Sequence, residues 1–174
     1  NFRDSPILAP RVDYDDALAP ASPVCVARVS GVASFGGFMS VNDELPYFDD
    51  VYALYHSAIR HEVPVIGHCL GAQLLSRCLG GVVTKNPVTE LGWTVQEALY
   101  PDPSTRPYQI KNWFGDFVET LPVYEWHGET FSVPDGCHLV AAGPYCENQA
   151  FQFSDKYVLG MQFHVEVDEE KMNA

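Results

Sequence analysis

Cys69 is the residue best placed to act as a nucleophile. It sits in Gly67-His68-Cys69-Leu70-Gly71, between the apolar run Pro64–His68 and the apolar-periodic segment Leu70–Leu79. This is the G-x-S-x-G pattern of a strand–turn–helix elbow, with Cys in place of Ser. Such a turn is tight, so the residues two before and two after the nucleophile must be small. The strain lifts the sulfur toward solvent, and the helix N-terminus favours a thiolate through its free N–H groups and its dipole. The N–H of Leu70 then points to where an oxyanion would form. On this pattern alone, a buried cysteine beside two incidental glycines fits as well.

A thiol nucleophile needs a base, and the base needs a group to orient it. Phe163-His164-Val165-Glu166 offers both. On a strand, residues i and i+2 share a face, so His164 and Glu166 project together and Val165 enters the packing layer. Glu166 accepts from one ring nitrogen and leaves the other for the thiol. The plainer reading of these residues is a surface His–Glu pair at a strand end. A third stretch, Phe35-Gly36-Gly37-Phe38-Met39-Ser40, ends an apolar run in two glycines, which let the backbone approach a ligand closely. The N–H of Gly37 would be a second oxyanion donor, although alone the stretch reads as a simple turn. His127, in Trp126-His127-Gly128-Glu129-Thr130-Phe131, is a rival base with Glu129 as a weak orienting partner. Its expected role is to line the pocket, and a packed strand-end histidine is an equal reading. His68 flanks the nucleophile but is expected to point to the opposite side, with no catalytic role. His56 and His61 are expected at the surface. No G-K-[ST] follows the glycines around Cys69, so they are not a phosphate loop.

These side chains need elements to hold them. Residues 1–23, rich in Pro, Asp and Ala, read as loop or extended arm. Val24–Val29 and Val32–Phe35 are short apolar runs, each expected to be a buried strand. Phe48, Val51, Tyr52, Tyr55, Ala58 and Ile59 share one face of a helix over Phe48–His61, closed by Pro64. Pro64–His68 reads as a strand, and Leu70–Leu79 as a helix stopped by Gly80-Gly81. Strands are predicted over Trp93–Ala98, Val123–His127, His138–Ala142, Ala150–Phe153 and Val158–His164. Turn residues separate them at Pro101-Asp102-Pro103, Pro134-Asp135-Gly136 and Gly143-Pro144. Asp168-Glu169-Glu170 resembles the acidic first turn of a final helix. With no repeats or linkers, the chain reads as one domain. Its first half predicts an α/β sheet with parallel strands, which the second half enlarges with antiparallel ones.

Composition narrows the classes. The chain has 174 residues, 23 acidic and 10 basic, for a formal charge of −13. Hydrophobic residues at 47% and charged ones at 19% are an ordinary globular mix rather than a disordered one. The acidity disfavours nucleic acid as a partner, which needs a basic surface. No apolar run approaches the roughly 18 residues that span a bilayer, so no membrane partner is expected. The five cysteines, Cys25, Cys69, Cys78, Cys137 and Cys146, are odd in number and form no C-x-x-C pair. A secreted disulfide framework and a structural zinc site are therefore both unexpected, and a reduced cytoplasmic setting is the reading.

Six stretches together resemble the class I (triad) glutamine amidotransferases: GGFMSVND (36–43), GHCLGAQLL (67–75), ELGW (90–93), WHGETF (126–131), ENQAF (147–151) and GMQFHVE (160–166). The likeness is greatest to stand-alone proteins similar to the amidotransferase domain of GMP synthase, and it covers roughly residues 31–170 in order. It implies a flavodoxin-like fold, with a mostly parallel central sheet flanked by helices and added antiparallel strands. It also implies hydrolysis of a glutamine side-chain amide, with no metal or organic cofactor. By matching position, Cys69 is the nucleophile, His164 the base and Glu166 its partner. Gly37 and Leu70 match the oxyanion donors, and Gln73 a residue that helps hold the bound glutamine. Gly36 and His127 are expected to border the same substrate.

Three departures accompany the resemblance. Phe38 stands where the family usually has Pro, so a differently shaped oxyanion turn is expected. Residues 1–30 do not clearly match the family's first strand and helix, and the last helix is cut short. The single domain over residues 1–174 is therefore expected to be incomplete at both ends. Three functions fit: a glutaminase subunit that feeds ammonia to a separate synthase, a stand-alone hydrolase of γ-glutamyl peptides or amides, and a non-catalytic γ-glutamyl-binding regulator. The intact Cys69, His164 and Glu166 set argues against the third.

Overall fold

The structure is a computed structural model that describes residues 29–43, 45–99, 113–114, 119–153 and 156–167. The arm expected over residues 1–23, the strand expected over Val24–Val29 (Val29 apart), the turn at Pro101-Asp102-Pro103 and the helix start at Asp168-Glu169-Glu170 lie outside the described residues. In chain order the elements are β1 (Val32–Ser34), a 3-10 turn (Val41–Asp43), α1 (Tyr47–Arg60), β2 (Val65–His68), α2 (Leu70–Cys78), β3 (Val83–Ala98), β4 (Thr120–Phe131), β5 (Cys137–Ala142), β6 (Ala150–Phe153) and β7 (Val158–Met161). The strands form one sheet in the order β1-β2-β7-β6-β5-β3-β4.

Parallel pairing joins β1, β2 and β7, with Val32 opposite Val65 and Val65 opposite Val158. The remaining pairings are antiparallel, from β7–β6 through β5 and β3 to β4. The α/β class is as expected, with parallel pairing confined to one end of the sheet among the described residues. All four residues of β7 are buried, as suits a strand covered on both faces.

α1 buries Phe48, Val51, Tyr55 and Ala58, spaced by three and four residues. Asp49 and Asp50 lie in its first turn and Arg60 in its last, each on the favourable side of the helix dipole. Its Tyr55 hydroxyl contacts Ser34 Oγ and donates to the Gly71 carbonyl at 3.1 Å. One phenol thus ties β1 and α2 together beneath the elbow. α2 buries every residue from Leu70 to Ser76. It ends in paired bonds, Gly81 N–H to Ser76 O at 2.8 Å and Gly80 N–H to Arg77 O at 3.1 Å. Gly80 has φ of +91°, the left-handed residue that this stop requires.

Two apolar clusters make the core. One gathers β1, β2 and the two helices with Phe131 and Phe151. The other gathers Val123, Val140, Ala150, Leu159 and Phe163. Two strands run further than expected. β3 starts at Val83 and passes Pro87, which removes a ladder donor. The register shifts there, between Lys85 and Glu90. β4 continues to Phe131 as the partner of that longer β3. β7 is shorter than expected and stops at Met161. Beyond it the chain bends, and His164 makes one isolated bridge with Tyr124. No helix among the described residues is long and apolar enough to cross a membrane.

Candidate active site

The turn at Cys69 has the strain that an elbow demands. Cys69 has φ of +49° and ψ of −111°, a conformation rare for a residue with a β-carbon. Holding it costs about 1–3 kcal/mol, which the surrounding packing must supply. Its N–H continues the β2–β7 ladder to Met161 O at 2.8 Å, and its carbonyl accepts from Gln73 N–H at 3.0 Å. The residue therefore belongs to the strand on one side and opens α2 on the other. The flanking glycines are required by space. A β-carbon on Gly67 would lie 2.7 Å from the Gly71 backbone, and one on Gly71 would lie 2.5 Å from Ser34 Oγ.

His164 and Glu166 meet at this sulfur. His164 Nδ1 lies 2.6 Å from Glu166 Oε1, and the ring also hydrogen-bonds Cys69. Burial alone would lower the His164 pKa, but its bonds to Cys69 and Glu166 and the electrostatic pull of both raise it to about 10. Burial alone would raise Glu166, but the His164 bond and charge hold it below the usual carboxylate range. The pairing arises differently from the strand argument. Residues 165–166 form a bend, and Val165 is 55% exposed rather than packed. The bridge of His164 N–H to Tyr124 O at 2.8 Å fixes the backbone instead.

Gly36 and Gly37 stand beside this group. A β-carbon on Gly36 would lie 2.7 Å from His164 Cε1 and 3.4 Å from Cys69 Cβ. One on Gly37 would lie 2.9 Å from Leu70 Cδ2. The two residues named as oxyanion donors are thus packed against each other. The first N–H groups of a helix lack intrahelical acceptors, so that of Leu70 is available to a ligand. Ser40 Oγ donates to Glu129 Oε1 at 3.0 Å and joins this segment to β4. The Phe38 side chain is fully exposed at the rim.

These parts border a cleft of about 790 Å³, which also reaches Gln73, Thr89 and Trp126 to Glu129. Trp126 O accepts from the Cys69 thiol at 3.7 Å. Gln73 Nε2 donates to Glu129 O at 3.0 Å and to Gln162 Oε1 at 3.2 Å. Its side-chain nitrogen is therefore spent on the cleft wall. His127 borders the cleft, but both its ring nitrogens are taken up inside the protein. Nδ1 donates to Glu129 O at 2.9 Å, while Nε2 lies 3.0 Å from Glu90 Oε2 and 3.3 Å from Glu125 Oε2. The expectation that His127 offers its ring to substrate is corrected, because the ring holds the wall from behind.

His68 is the second correction. Its ring stacks on Phe35 with centroids 5.5 Å apart, and its Nδ1 lies 3.3 Å from Glu166 Oε2. It does not point away from the triad; it flanks the oxygen of Glu166 that His164 does not use. Burial lowers its pKa, so it stays neutral. Its adjacency to Cys69 is the only sequence signal for this. His56 and His61 are exposed, as expected.

The glutamine amidotransferase class-I family model matches residues 12–174. A glutamine amidotransferase-like protein of Salmonella typhimurium, YfeJ, is 31% identical over 137 residues, 76% of this chain and 54% of that protein. One subunit of the glutamine-hydrolyzing GMP synthase of Thermoplasma acidophilum is 27% identical over 141 residues, 80% of this chain and 64% of that one. The crystal structure of a glutamine amidotransferase from Methylobacillus flagellatus matches with a TM-score of 0.76 at 38% identity, over 88% of this chain and 57% of that one. A glutamine amidotransferase of Thermotoga maritima gives 0.70 at 29% identity, over 84% and 60%. The chain thus spans between 54% and 64% of the length of these relatives.

Proposed function

The chain belongs to the class I glutamine amidotransferase family, and from that premise we propose that it hydrolyses the γ-amide of glutamine through Cys69, His164 and Glu166. The observation that carries this reading is the strained Cys69 elbow with a His164–Glu166 pair, joined at 2.6 Å, hydrogen-bonded to its sulfur. Cys69 attacks the γ-carbonyl carbon, and its proton passes to His164. The N–H groups of Gly37 and Leu70 hold the tetrahedral oxyanion. His164 then protonates the departing nitrogen, so that ammonia leaves and a γ-glutamyl thioester remains. Water attacks the thioester with His164 as base, which releases glutamate and restores the thiol. Gln73 supports the substrate pocket through its bonds to the cleft wall.

The relative from Thermoplasma acidophilum is one of the subunits of a GMP synthase, which supports a separate synthase partner that takes up the ammonia here. A second reading is supported by the cleft itself. Its volume of about 790 Å³ exceeds what one glutamine fills, leaving room for a γ-glutamyl amide with a larger amine. The test is release of glutamate from glutamine and from a panel of γ-glutamyl amides, with and without extract of the source cells. Glutamine hydrolysis that rises on adding extract supports the synthase-linked form. Turnover of bulky γ-glutamyl amides without extract supports the independent hydrolase. No glutamate from any of them, with protein shown to be folded, overturns both.

A further inference from the structure

A second group of ionisable side chains, none of them in the triad, is enclosed by β3, β4 and the connection from β5 to β6. Glu90, Glu125, His127 and Cys146 are each no more than 5% exposed. One donor atom each from Glu90, His127 and Cys146 lies within 4.8 Å of the others. The His127 Nε2 atom also lies 3.3 Å from Glu125 Oε2. Two carboxylates and a thiol therefore surround a single imidazole. Among the described residues, His127 is the only ion-pair partner of either carboxylate. Buried anions in excess of cations are costly unless a metal or further donors balance them.

The groups around the cluster are arranged as those around a metal site are. His127 donates Nδ1–H to a backbone carbonyl, that of Glu129, which leaves Nε2 facing the acidic groups. This is how a metal-bound histidine is usually oriented. Gln149 donates to Glu90 Oε2 at 2.9 Å, and Gln96 donates to Glu125 Oε1 at 2.6 Å. Both carboxylates are thereby held in fixed orientations. The other oxygen of Glu90 and the side-chain oxygen of Gln149 are buried without a hydrogen-bond partner among the described residues. Cys146 Sγ lies 3.1 Å from Thr130 Oγ1, a hydroxyl able to donate to a thiolate.

We propose that Glu90, His127 and Cys146, with Glu125 as fourth donor, bind one divalent transition metal, zinc being the best match to a nitrogen, sulfur and carboxylate set. Zinc takes four such ligands at about 2.0–2.3 Å, so the donor atoms must draw together by roughly 1 Å. On binding, the Cys146 thiol proton and any proton on His127 Nε2 pass to solvent. The metal then clamps three parts of the chain that are far apart in sequence. It also fixes the 126–129 segment, whose carbonyls receive the Cys69 thiol and the Gln73 amide. The C-x-x-C test misses this site because its ligands come from separate elements.

The test uses untagged full-length protein. Elemental analysis of the purified chain is expected to find about one zinc per molecule. After chelation and Co2+ loading, a near-ultraviolet sulfur-to-cobalt charge-transfer band is expected. Cys146→Ser should abolish that band and Cys69→Ser should keep it. Glu90→Gln should weaken Co2+ affinity tenfold or more, and Zn2+ should raise the melting temperature of the wild type. Should Cys146→Ser not fold, the wild-type metal content and band decide the matter. No stoichiometric metal and no band in the wild type, or a band that disappears with Cys69 rather than Cys146, would overturn the site.

Discussion

At the level of single residues, the thiols divide sharply. Burial pushes Cys78 and Cys137 up to about 12 and Cys146 up to about 11. All three are inert thiols at neutral pH. Limited alkylation at neutral pH should therefore label Cys69 first, and peptide mapping that finds Cys78, Cys137 or Cys146 modified ahead of it would count against the elbow as the reactive centre. Glu166 acts on His164 by both charge and hydrogen bond, and each raises the imidazole pKa. Glu166→Gln should accordingly lower the His164 value measured by NMR titration and reduce kcat by about 10²–10⁴ while KM changes little. An unchanged titration would make Glu166 a bystander. His68→Phe keeps the stack on Phe35 but loses the nitrogen beside Glu166 Oε2. Its cost is that of one hydrogen bond to a charged group, about 1.5–3 kcal/mol at most, read as roughly a tenfold fall in kcat. The facing of His164 toward Glu166 is legible in the sequence, because two residues of that type at that spacing invite it. His68 is not legible, because a residue beside the nucleophile on a regular strand would point away. The positive φ at Cys69 breaks that regularity.

Among the elements, the strand–turn–helix at Cys69 stores strain and its glycines relieve crowding. Gly67→Ala and Gly71→Ala place a β-carbon within 2.7 and 2.5 Å of neighbouring atoms, at Gly67 against backbone. Each should destabilise the fold by about 1–3 kcal/mol, measured by denaturant unfolding. Cys69→Gly should do the reverse and stabilise by about 1 kcal/mol, because glycine accepts φ of +49° without penalty, even as the reaction is lost. Equal or lower stability for Cys69→Gly would mean the turn is unstrained. The helices and short strands of the first half are legible because their signals are local: Phe48 to Ala58 at helical spacing, Gly80-Gly81 at a helix end, two glycines around a cysteine. The end of β7 is not. Val158 to His164 is apolar enough to continue as a strand, yet His164 leaves the ladder to bridge Tyr124. A partner so distant in the chain carries no local signal. The start of β3 is hidden by Pro87, which reads as a strand breaker and is instead absorbed at the register shift.

For the molecule as a whole, the ion pair at the site is also a stability term with a definite pH window. His164 is raised in the folded chain, so its contribution is complete below its ordinary value near 6.5 and is lost as pH rises through about 10. Glu166 is lowered, so its contribution is present above its ordinary value near 4.5 and is lost as pH falls below it. The melting-temperature difference between wild type and His164→Gln should therefore be largest between about pH 4.5 and 6.5 and shrink toward pH 10. A difference that grows with pH would contradict the pair. The acidity of the chain bears on partners rather than on this pair, and at −13 it keeps anionic polymers away. The central claim is that Cys69 forms a covalent γ-glutamyl intermediate, and intact-protein mass spectrometry tests it most directly. Folded wild type is incubated with a diazoketone analogue of glutamine, with and without excess glutamine. One adduct per chain is predicted, mapped to Cys69, slowed by glutamine and absent from Cys69→Ser. Reversible binding of the analogue with no adduct, or an adduct on another cysteine, would contradict the account.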